Sequence, residues 1–292
     1  MIEYIEKSKI KVDDRLRIRS ELNTLIAKSV RKNGVVSPVV VLKDLTLVDG
    51  FSRFNFSLDD KMPAIVKENE RDAFFLSIEL NMLSNPYSEF EKARAIKLAF
   101  EKFKIEKEEI VKRLNPLLKF SKKISIVEDC LEVFKLEKSL FSLLEVRRSP
   151  VSFALRLLKE DREEQKFLAD LFKSKRLSLS RMQIVYDLMY YIRKRDSLNF
   201  RQIVEKCKDT DVVSCLKKLR YPGFVRLKEE LNEILTKYRG SLSFPEDLEA
   251  GYFYFSGKIS SKQDIERIEK TLQNLKADKD VWDFLKSVRG DD

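Results

Sequence analysis

A single break at Asn85-Pro86 divides the chain into two parts that differ in hydrophobic periodicity. Before the break, short β-branched runs alternate with helical stretches, as in the strand predicted over residues 35–42 and the helix predicted over residues 21–32. After the break, apolar residues recur at helical spacing as far as about residue 239. This order of patterns predicts an α+β fold, with a small α/β unit followed by an all-α region.

Two turn signals subdivide the region that follows the break. Tyr221-Pro222-Gly223 interrupts a helical stretch, and Gly240 precedes a strand-like aromatic run at residues 252–255 and a last predicted helix. The run and the helix together predict a small C-terminal α/β module. The sequence therefore predicts four parts, which are residues 1–85 (α/β), 86–195 (helical), 196–239 (helical connector) and 240–292 (strand and helix).

Histidine is absent from all 292 residues, which excludes several classes of enzyme and metal site. Ser-His-Asp and Cys-His catalysis and histidine-ligated zinc all need an imidazole. The three cysteines, Cys130, Cys207 and Cys215, lack C-x-x-C spacing, and we predict that they are buried free thiols. No apolar run is long enough for a membrane span, so the expected location is the cytoplasm.

The basic charge of the chain is concentrated in two short segments. The net charge is +10, and residues 104–124 carry seven Lys or Arg against three acidic residues. Residues 171–195 carry seven against one. Concentrated positive charge favours a polyanionic partner, usually nucleic acid. The alternative is that these residues form the solvated helix faces of a lysine-rich protein.

The first basic segment has the pattern of a helix-turn-helix. A helix is predicted over residues 106–114, a turn at Asn115-Pro116, and a second helix over residues 121–134. Four apolar residues of the second helix are predicted to pack on the first: Ile124, Val127, Leu131 and Phe134. A plain helical hairpin with a basic tip is the alternative interpretation.

The candidate DNA contacts are cations and small hydroxyl residues. A recognition helix places its N-terminal residues on base edges in the major groove. The residues at that position here are Lys119, Ser121, Lys122, Lys123 and Ser125. Cations expected to contact phosphates rather than bases are Arg147, Arg148, Lys173, Lys175 and Arg176. Double-stranded DNA is therefore the predicted partner.

Three ordered stretches of the first unit resemble the sequence boxes of a known superfamily. Residues 25–41 contain a helix, Gly34, and Pro38 leading into an apolar strand. Residues 47–54 read Leu-Val-Asp-Gly-Phe-Ser-Arg-Phe, and residues 80–93 begin Leu-Asn and end Ser-Glu-Phe-Glu-Lys-Ala. In order and spacing they resemble the boxes of the ParB/sulfiredoxin-like superfamily, and specifically ParB-type partition proteins. The predicted helix-turn-helix follows where that family has one.

The second box also has a physical interpretation of its own. A glycine at a strand-to-helix turn lets backbone N–H groups approach a phosphate, and an arginine three residues later adds a forked charge. Gly50 and Arg53 fit this arrangement, although an ordinary turn with a surface arginine is the alternative. The resemblance implies a pocket for CTP with Mg²⁺, formed by Gly34, Pro38, Gly50, Ser52, Arg53 and Asn81. It also implies a homodimer, a partition ATPase as partner, and a bacterial nucleoid location.

Four positions depart from the family pattern. Phe51 and Ser52 stand where the family has an acidic and a basic residue, Leu80 replaces its metal-binding Glu, and Ser84 replaces a phosphate-binding Arg. Each lost charge-assisted contact is worth about 1.5–3 kcal/mol, so we predict a degenerate CTP pocket. The sulfiredoxin branch is excluded because no cysteine precedes Cys130.

The sequence thus predicts a sequence-specific DNA-binding protein similar to ParB, acting in plasmid or chromosome partition or in transcription control. No catalytic or metal-ligating residue is predicted, and a residual CTPase activity is the only candidate enzymatic activity. The alternative of another class is an active CTPase or nuclease that uses the N-terminal pocket. A third interpretation is a helical scaffold with incidental basic charge.

Overall fold

The structure is a computed structural model that describes residues 2–207, 211–245 and 251–289. Its contacts divide the chain into two compact units, residues 1–183 and 184–292, and the boundary lies inside a long helix. Helices predominate, and one small mixed sheet lies in the first unit. The predicted α+β class is confirmed.

The sheet of the first unit has five strands in the order β1-β5-β3-β4-β2. The strands are β1 (Ile2–Glu6), β2 (Lys11–Val12), β3 (Val39–Leu42), β4 (Thr46–Asp49) and β5 (Lys61–Lys67). The β3–β5 and β2–β4 pairs are parallel, and the other two are antiparallel. The central strand β3 is buried along its whole length, as its unbroken apolar run predicts. Strand β1 was not predicted, because this edge strand buries little apolar surface.

Eleven helices follow or flank the strands as far as the unit boundary. They are α1 (Thr24–Asn33), α2 (Phe51–Phe56), α3 (Glu70–Ser84), α4 (Glu89–Glu101), α5 (Lys107–Glu109), α6 (Asn115–Leu117), α7 (Ile124–Glu132), α8 (Lys138–Val146), α9 (Val151–Leu157), α10 (Arg162–Ser174) and α11 (Leu179–Asp196). A π-helical segment, Ile110–Leu114, joins α5 to α6. Three 3₁₀ turns lie at Lys7–Lys9, Asp14–Leu16 and Val133–Lys135.

Local capping explains where several of these helices begin. The Ser88 side chain accepts a hydrogen bond from the Glu91 N–H, and the Glu91 carboxylate accepts one from the Ser88 N–H at 2.7 Å. This reciprocal pair is a capping box, and it fixes the start of α4. The Asn69 side chain caps α3 by accepting hydrogen bonds from the N–H groups of Arg71 and Asp72.

The second unit has its own apolar core. Its remaining elements are α12 (Phe200–Glu205), α13 (Val212–Arg220), α14 (Pro222–Lys237), β6 (Leu242–Ser243), β7 (Tyr254–Phe255), α15 (Lys262–Ala277) and α16 (Lys279–Arg289). Leu231 and Ile234 of α14 pack with Val281 and Phe284 of α16. The two short strands pair antiparallel, and α16 is an element that the sequence analysis missed.

The prediction of three free cysteines was wrong for two of them. Cys207 and Cys215 form a disulfide that links the end of α12 to α13, whereas Cys130 is a buried free thiol. Burial raises the pKa of the Cys130 thiol to about 12, so it stays protonated at neutral pH. The error arose because only the folded chain brings the Cα atoms of Cys207 and Cys215 within 5.7 Å. None of the described helices is both long enough and apolar enough to cross a membrane.

Candidate nucleic-acid interface and N-terminal pocket

A cavity of about 480 Å³ opens beside the ends of β3 and β4, between α1, α2 and α3. All six residues predicted for the nucleotide pocket line it: Gly34, Pro38, Gly50, Ser52, Arg53 and Asn81. They come from three separate boxes of the sequence, and the fold brings them together around one cavity. Their placement is a structural finding, whereas their role in binding a nucleotide remains a prediction.

Gly50 makes the turn from β4 into α2 and has little room for a side chain. Its φ is +96°, in the left-handed region that favours glycine. A Cβ at this position would lie 2.6 Å from the Val39 Cγ1. Packing and backbone geometry therefore both require glycine here.

Arg53 is held by groups of the protein itself. Its Nη2 donates to the Asp49 Oδ2 at 2.7 Å, and its Nη1 donates to the carbonyl oxygens of Ser37 at 3.1 Å and Pro38 at 2.8 Å. The Asn81 Nδ2 donates to the other carboxylate oxygen of Asp49 at 2.7 Å. Asp49 thus joins two predicted pocket residues. Asp49 was not among the predicted pocket residues, although it stands four positions before Arg53.

Two further cations line the cavity and were also missed. The Arg19 Nη1 lies 3.2 Å from the Glu91 Oε1, and the guanidinium lies 4.8 Å from the centroid of the Tyr87 ring. The Arg17 Nη2 donates to the Ser20 carbonyl at 2.8 Å. Both arginines precede the first box, so the resemblance to the superfamily did not include them. Burial raises the pKa of Tyr87, and the nearby charge of Asp49 raises it further.

For a magnesium triphosphate, the cavity lining offers two carboxylates, Glu21 and Asp49, and no charge at Leu80 or Ser84. Mg²⁺ in such sites is held by one or two carboxylates together with phosphate oxygens. Here both oxygens of Asp49 already accept hydrogen bonds, and Leu80 supplies no ligand. The Ser84 hydroxyl donates to the Leu80 carbonyl of its own helix at 2.8 Å. Within the described part of the chain, no cluster of three or more His, Cys, Asp or Glu residues is placed to hold a metal ion.

A turn joins two helical segments in the first basic segment, but it lies later than the predicted Asn115-Pro116. The first helix continues through Asn115-Pro116, and the turn comprises residues 118–123. The Asn115 N–H donates to the Ile110 carbonyl, five residues back, which is the π-helical pattern. This π-helical segment lies directly before Pro116 and explains how the helix accommodates the proline, which was predicted to end it.

Asn115 also sets the path of the turn. Its side-chain Nδ2 donates to the Ser121 carbonyl at 3.0 Å, and its own carbonyl accepts from the Phe120 N–H at 2.8 Å. The residue is fully buried. No side chain caps the N-terminus of α7. The turn therefore leads into a helix whose first N–H groups lack a side-chain acceptor, an arrangement that favours an anion.

The residues predicted to contact bases are all exposed around the start of α7. They are Lys119, Ser121, Lys122, Lys123 and Ser125. On the opposite face Val127 is fully buried, as predicted. The prediction was wrong for Ile124, which is 44% exposed in the first turn of α7.

The predicted phosphate contacts lie at or just beyond the ends of two helices. Arg147 and Arg148 follow α8, Lys173 lies in the last turn of α10, and Lys175 and Arg176 follow α10. All five are exposed. Their exposure and positive charge suit contact with a polyanion, and their role remains a prediction.

Comparisons with known proteins give structural matches only. No protein-family model matches the chain, and no curated protein does. Among solved structures, the chain is similar to the C-terminally truncated chromosome-partitioning protein ParB from Caulobacter crescentus complexed to the centromeric parS site. The identity is 16%, the TM-score is 0.37, and the match covers 62% of this chain and 96% of that one.

Two other solved structures show similarity of the same order. The same Caulobacter crescentus protein complexed with CTP-gamma-S matches with 18% identity and a TM-score of 0.25, over 59% of this chain and 98% of that one. A Pnob8-like ParB-N domain matches with 18% identity and a TM-score of 0.39, over 70% and 96%. All three are ParB structures, the family that the sequence boxes resemble.

Proposed function

We propose that this protein is a sequence-specific binder of double-stranded DNA, similar to ParB, that acts in plasmid or chromosome partition or in transcription control. The observation that carries the proposal is the approach to α7, where Lys122 and Lys123 are exposed at the end of a turn ordered by Asn115. In the major groove, this end of a recognition helix meets the base edges.

The parts of the chain have separate roles in this proposal. Residues 1–85 form a pocket domain, 86–195 the DNA-binding domain, 196–239 a connector and 240–292 a C-terminal module. The protein acts as a homodimer on a palindromic site at the bacterial nucleoid in the cytoplasm, with a partition ATPase as a candidate partner. Exposed cations beyond α8 and α10 support binding to the DNA backbone.

Selection from genomic DNA tests this function. The purified chain is incubated with fragmented genomic DNA at physiological salt, and the bound fragments are sequenced. We expect a few loci that share a palindromic site, and we expect the variant K122A/K123A to lose that enrichment. Fragments recovered in proportion to the input, with no shared motif, would contradict the proposal.

For the cavity we propose weak binding of CTP or none, and no hydrolysis above background. The support is that Arg53 and Asn81 are engaged with Asp49 and that Leu80 and Ser84 offer no charge to a metal or phosphate. The alternative, an active CTPase or nuclease, needs those charges.

Calorimetry with CTP and Mg²⁺ separates the two possibilities for the cavity. Any binding by the parent chain should disappear in Arg53→Ala and persist in Lys43→Ala, whose ion pair with Glu68 is almost fully exposed. Thermal unfolding of both variants shows whether the pocket domain stays folded. Robust CTP hydrolysis by the parent would favour the enzyme alternative.

A further inference from the structure

The second unit contains a basic stretch that the proposed function does not use. Residues 212–228 contain five Lys or Arg and no acidic residue. They form α13 and the first part of α14, with Tyr221-Pro222 at the junction. This stretch of uncompensated positive charge favours a polyanion.

Exposed aromatic rings alternate with these cations. Tyr221 is 51% exposed, Phe224 48% and Tyr191, near the end of α11, 53%. The Arg220 guanidinium lies 5.0 Å from the centroid of the Tyr191 ring and 5.1 Å from that of Tyr221. The Lys228 Nζ lies 5.1 Å from the centroid of the Phe224 ring. We call these five residues the aromatic-cation patch.

Neighbouring contacts hold the patch in place. The Arg195 Nη2 donates to the Leu219 carbonyl at 2.8 Å, and its Nη1 donates to the Arg220 carbonyl at 3.2 Å. Asp196 orients the same guanidinium, because its Oδ1 accepts a hydrogen bond of 2.6 Å from the Arg195 Nε. Pro222 opens α14 with a restricted φ. These contacts order the end of α13, and they therefore also fix the position of Arg220 between the rings of Tyr191 and Tyr221.

The chemistry of the patch selects one kind of polyanion. A ring that carries a cation on one face and is half exposed still offers its other face to a planar partner. Nucleic-acid bases stack on such rings only when they are unpaired, because the bases of a duplex are already stacked on one another. We propose that the aromatic-cation patch binds single-stranded nucleic acid, with Tyr191, Tyr221 and Phe224 stacking on bases and the cations pairing with phosphates.

The proposal goes beyond the binding of double-stranded DNA proposed above and does not depend on it. The patch belongs to residues 184–292, whereas the helix-turn-helix belongs to residues 1–183. Variants of Tyr221 and of Lys122 therefore report on two different surfaces. Failure of one proposal leaves the other testable.

Fluorescence anisotropy of the full-length chain tests the patch, with a labelled oligothymidylate of about 20 nucleotides as the probe. We expect Tyr221→Ala and Phe224→Ala each to weaken binding about tenfold, since each removes a stacking face. Tyr221→Phe, which keeps the ring, should bind like the parent. The matched control is Tyr252→Ala, because Tyr252 is 45% exposed in the same unit but lies outside the patch.

Three results would overturn the proposal. One is parent affinity in both Tyr221→Ala and Phe224→Ala. Another is an equal loss of affinity in Tyr252→Ala. The third is loss of single-strand binding in Lys122→Ala alone, which would assign that binding to the helix-turn-helix. Circular dichroism of each variant confirms that the helices remain folded.

Discussion

Asp49 shows how one partly buried carboxylate determines the arrangement of several pocket side chains. Its ion pair with Arg53 is largely shielded, with side-chain exposures of 14% and 20%, and Asn81 completes its hydrogen bonds. An ion pair of this kind contributes little net stability, but removal of one partner leaves an uncompensated charge. Arg53 is thus needed for the shape of the pocket whether or not a phosphate binds there.

At the residue scale, we predict that Gly50→Ala lowers the free energy of unfolding by about 2 kcal/mol or more. The left-handed φ costs a non-glycine residue about 1–2 kcal/mol, and the contact of the new Cβ with Val39 adds an overpacking cost. Urea unfolding followed by circular dichroism measures the change.

Gly223→Ala is the matched control for this prediction. A Cβ at Gly223 meets no atom within 4 Å, and the position lies in the first turn of α14. Alanine there should raise the free energy of unfolding by about 0.5–1 kcal/mol, since it reduces the entropy of the unfolded chain. An unchanged urea midpoint for Gly50→Ala would show that β4 and α2 can shift to make room.

At the scale of elements, the ends of several helices have a cation where glycine is usual. Lys104, Lys119, Arg148 and Arg176 have φ between 49° and 58° and follow the ends of four helical segments. After α10, the Leu177 N–H donates to the Phe172 carbonyl at 3.0 Å, which is the Schellman pattern. Lys119, Arg148 and Arg176 are also predicted DNA contacts. Three of the four residues with a strained left-handed backbone therefore lie on the proposed binding surface.

We predict that Arg176→Gly stabilises the fold while it weakens DNA binding. Glycine relieves the strained φ of 49°, which should raise the free energy of unfolding by about 0.5–1 kcal/mol. Loss of the cation removes a contact to phosphate. Thermal unfolding and DNA titration of the same preparation measure both effects. A variant that is destabilised and binds DNA normally would contradict both halves of the prediction.

The two basic elements should respond differently to substitution. Lys122→Ala, at the start of α7, should weaken binding of the specific site by about 1–3 kcal/mol and leave non-specific binding almost unchanged. Lys175→Ala should lower the affinity for all sequences alike and flatten the salt dependence by roughly one unit. Titrations of specific and random duplexes over a range of salt concentrations measure this difference. Equal effects of both variants on both duplexes would contradict it.

At the scale of the whole molecule, the absence of histidine makes the net charge almost independent of pH near neutrality. With 0 His and a Cys130 thiol whose pKa is raised to about 12, few side chains titrate between about pH 6 and 8. We predict that DNA affinity is constant over this range at fixed salt but falls steeply as salt increases. A marked change of affinity with pH, or none with salt, would contradict electrostatic binding.

Acid should destabilise the second unit. Hydrogen bonds from Ser260 and Ser261 lower the pKa of Asp264, and Lys237 lowers the pKa of Asp278. A carboxyl group whose pKa is lower in the folded state than in the unfolded state stabilises the fold at pH values above its unfolded-state pKa of about 3.9. This stabilisation is lost as the pH falls through the folded-state pKa. The stability contributed by these two groups is therefore complete at neutral pH.

Local patterns of the sequence were enough to locate most elements and the predicted pocket residues. The buried run of β3 and the turn at Gly50 were found because each depends on residues a few positions apart. The same holds for the exposed cations around α7, which follow from helical periodicity. Such features depend on local backbone geometry and on which residues favour water.

Other features arise only when distant segments meet in the folded chain. Asn81 reaches Asp49 across 32 positions and Arg19 reaches Glu91 across 72, and both pairs decide which pocket side chains are already engaged. The edge strand β1 exists only because β5 offers it hydrogen-bond partners. Hydrogen bonds and ion pairs between distant segments depend on chain topology, which periodicity and spacing do not encode, so the chemistry of the pocket became apparent only in the fold.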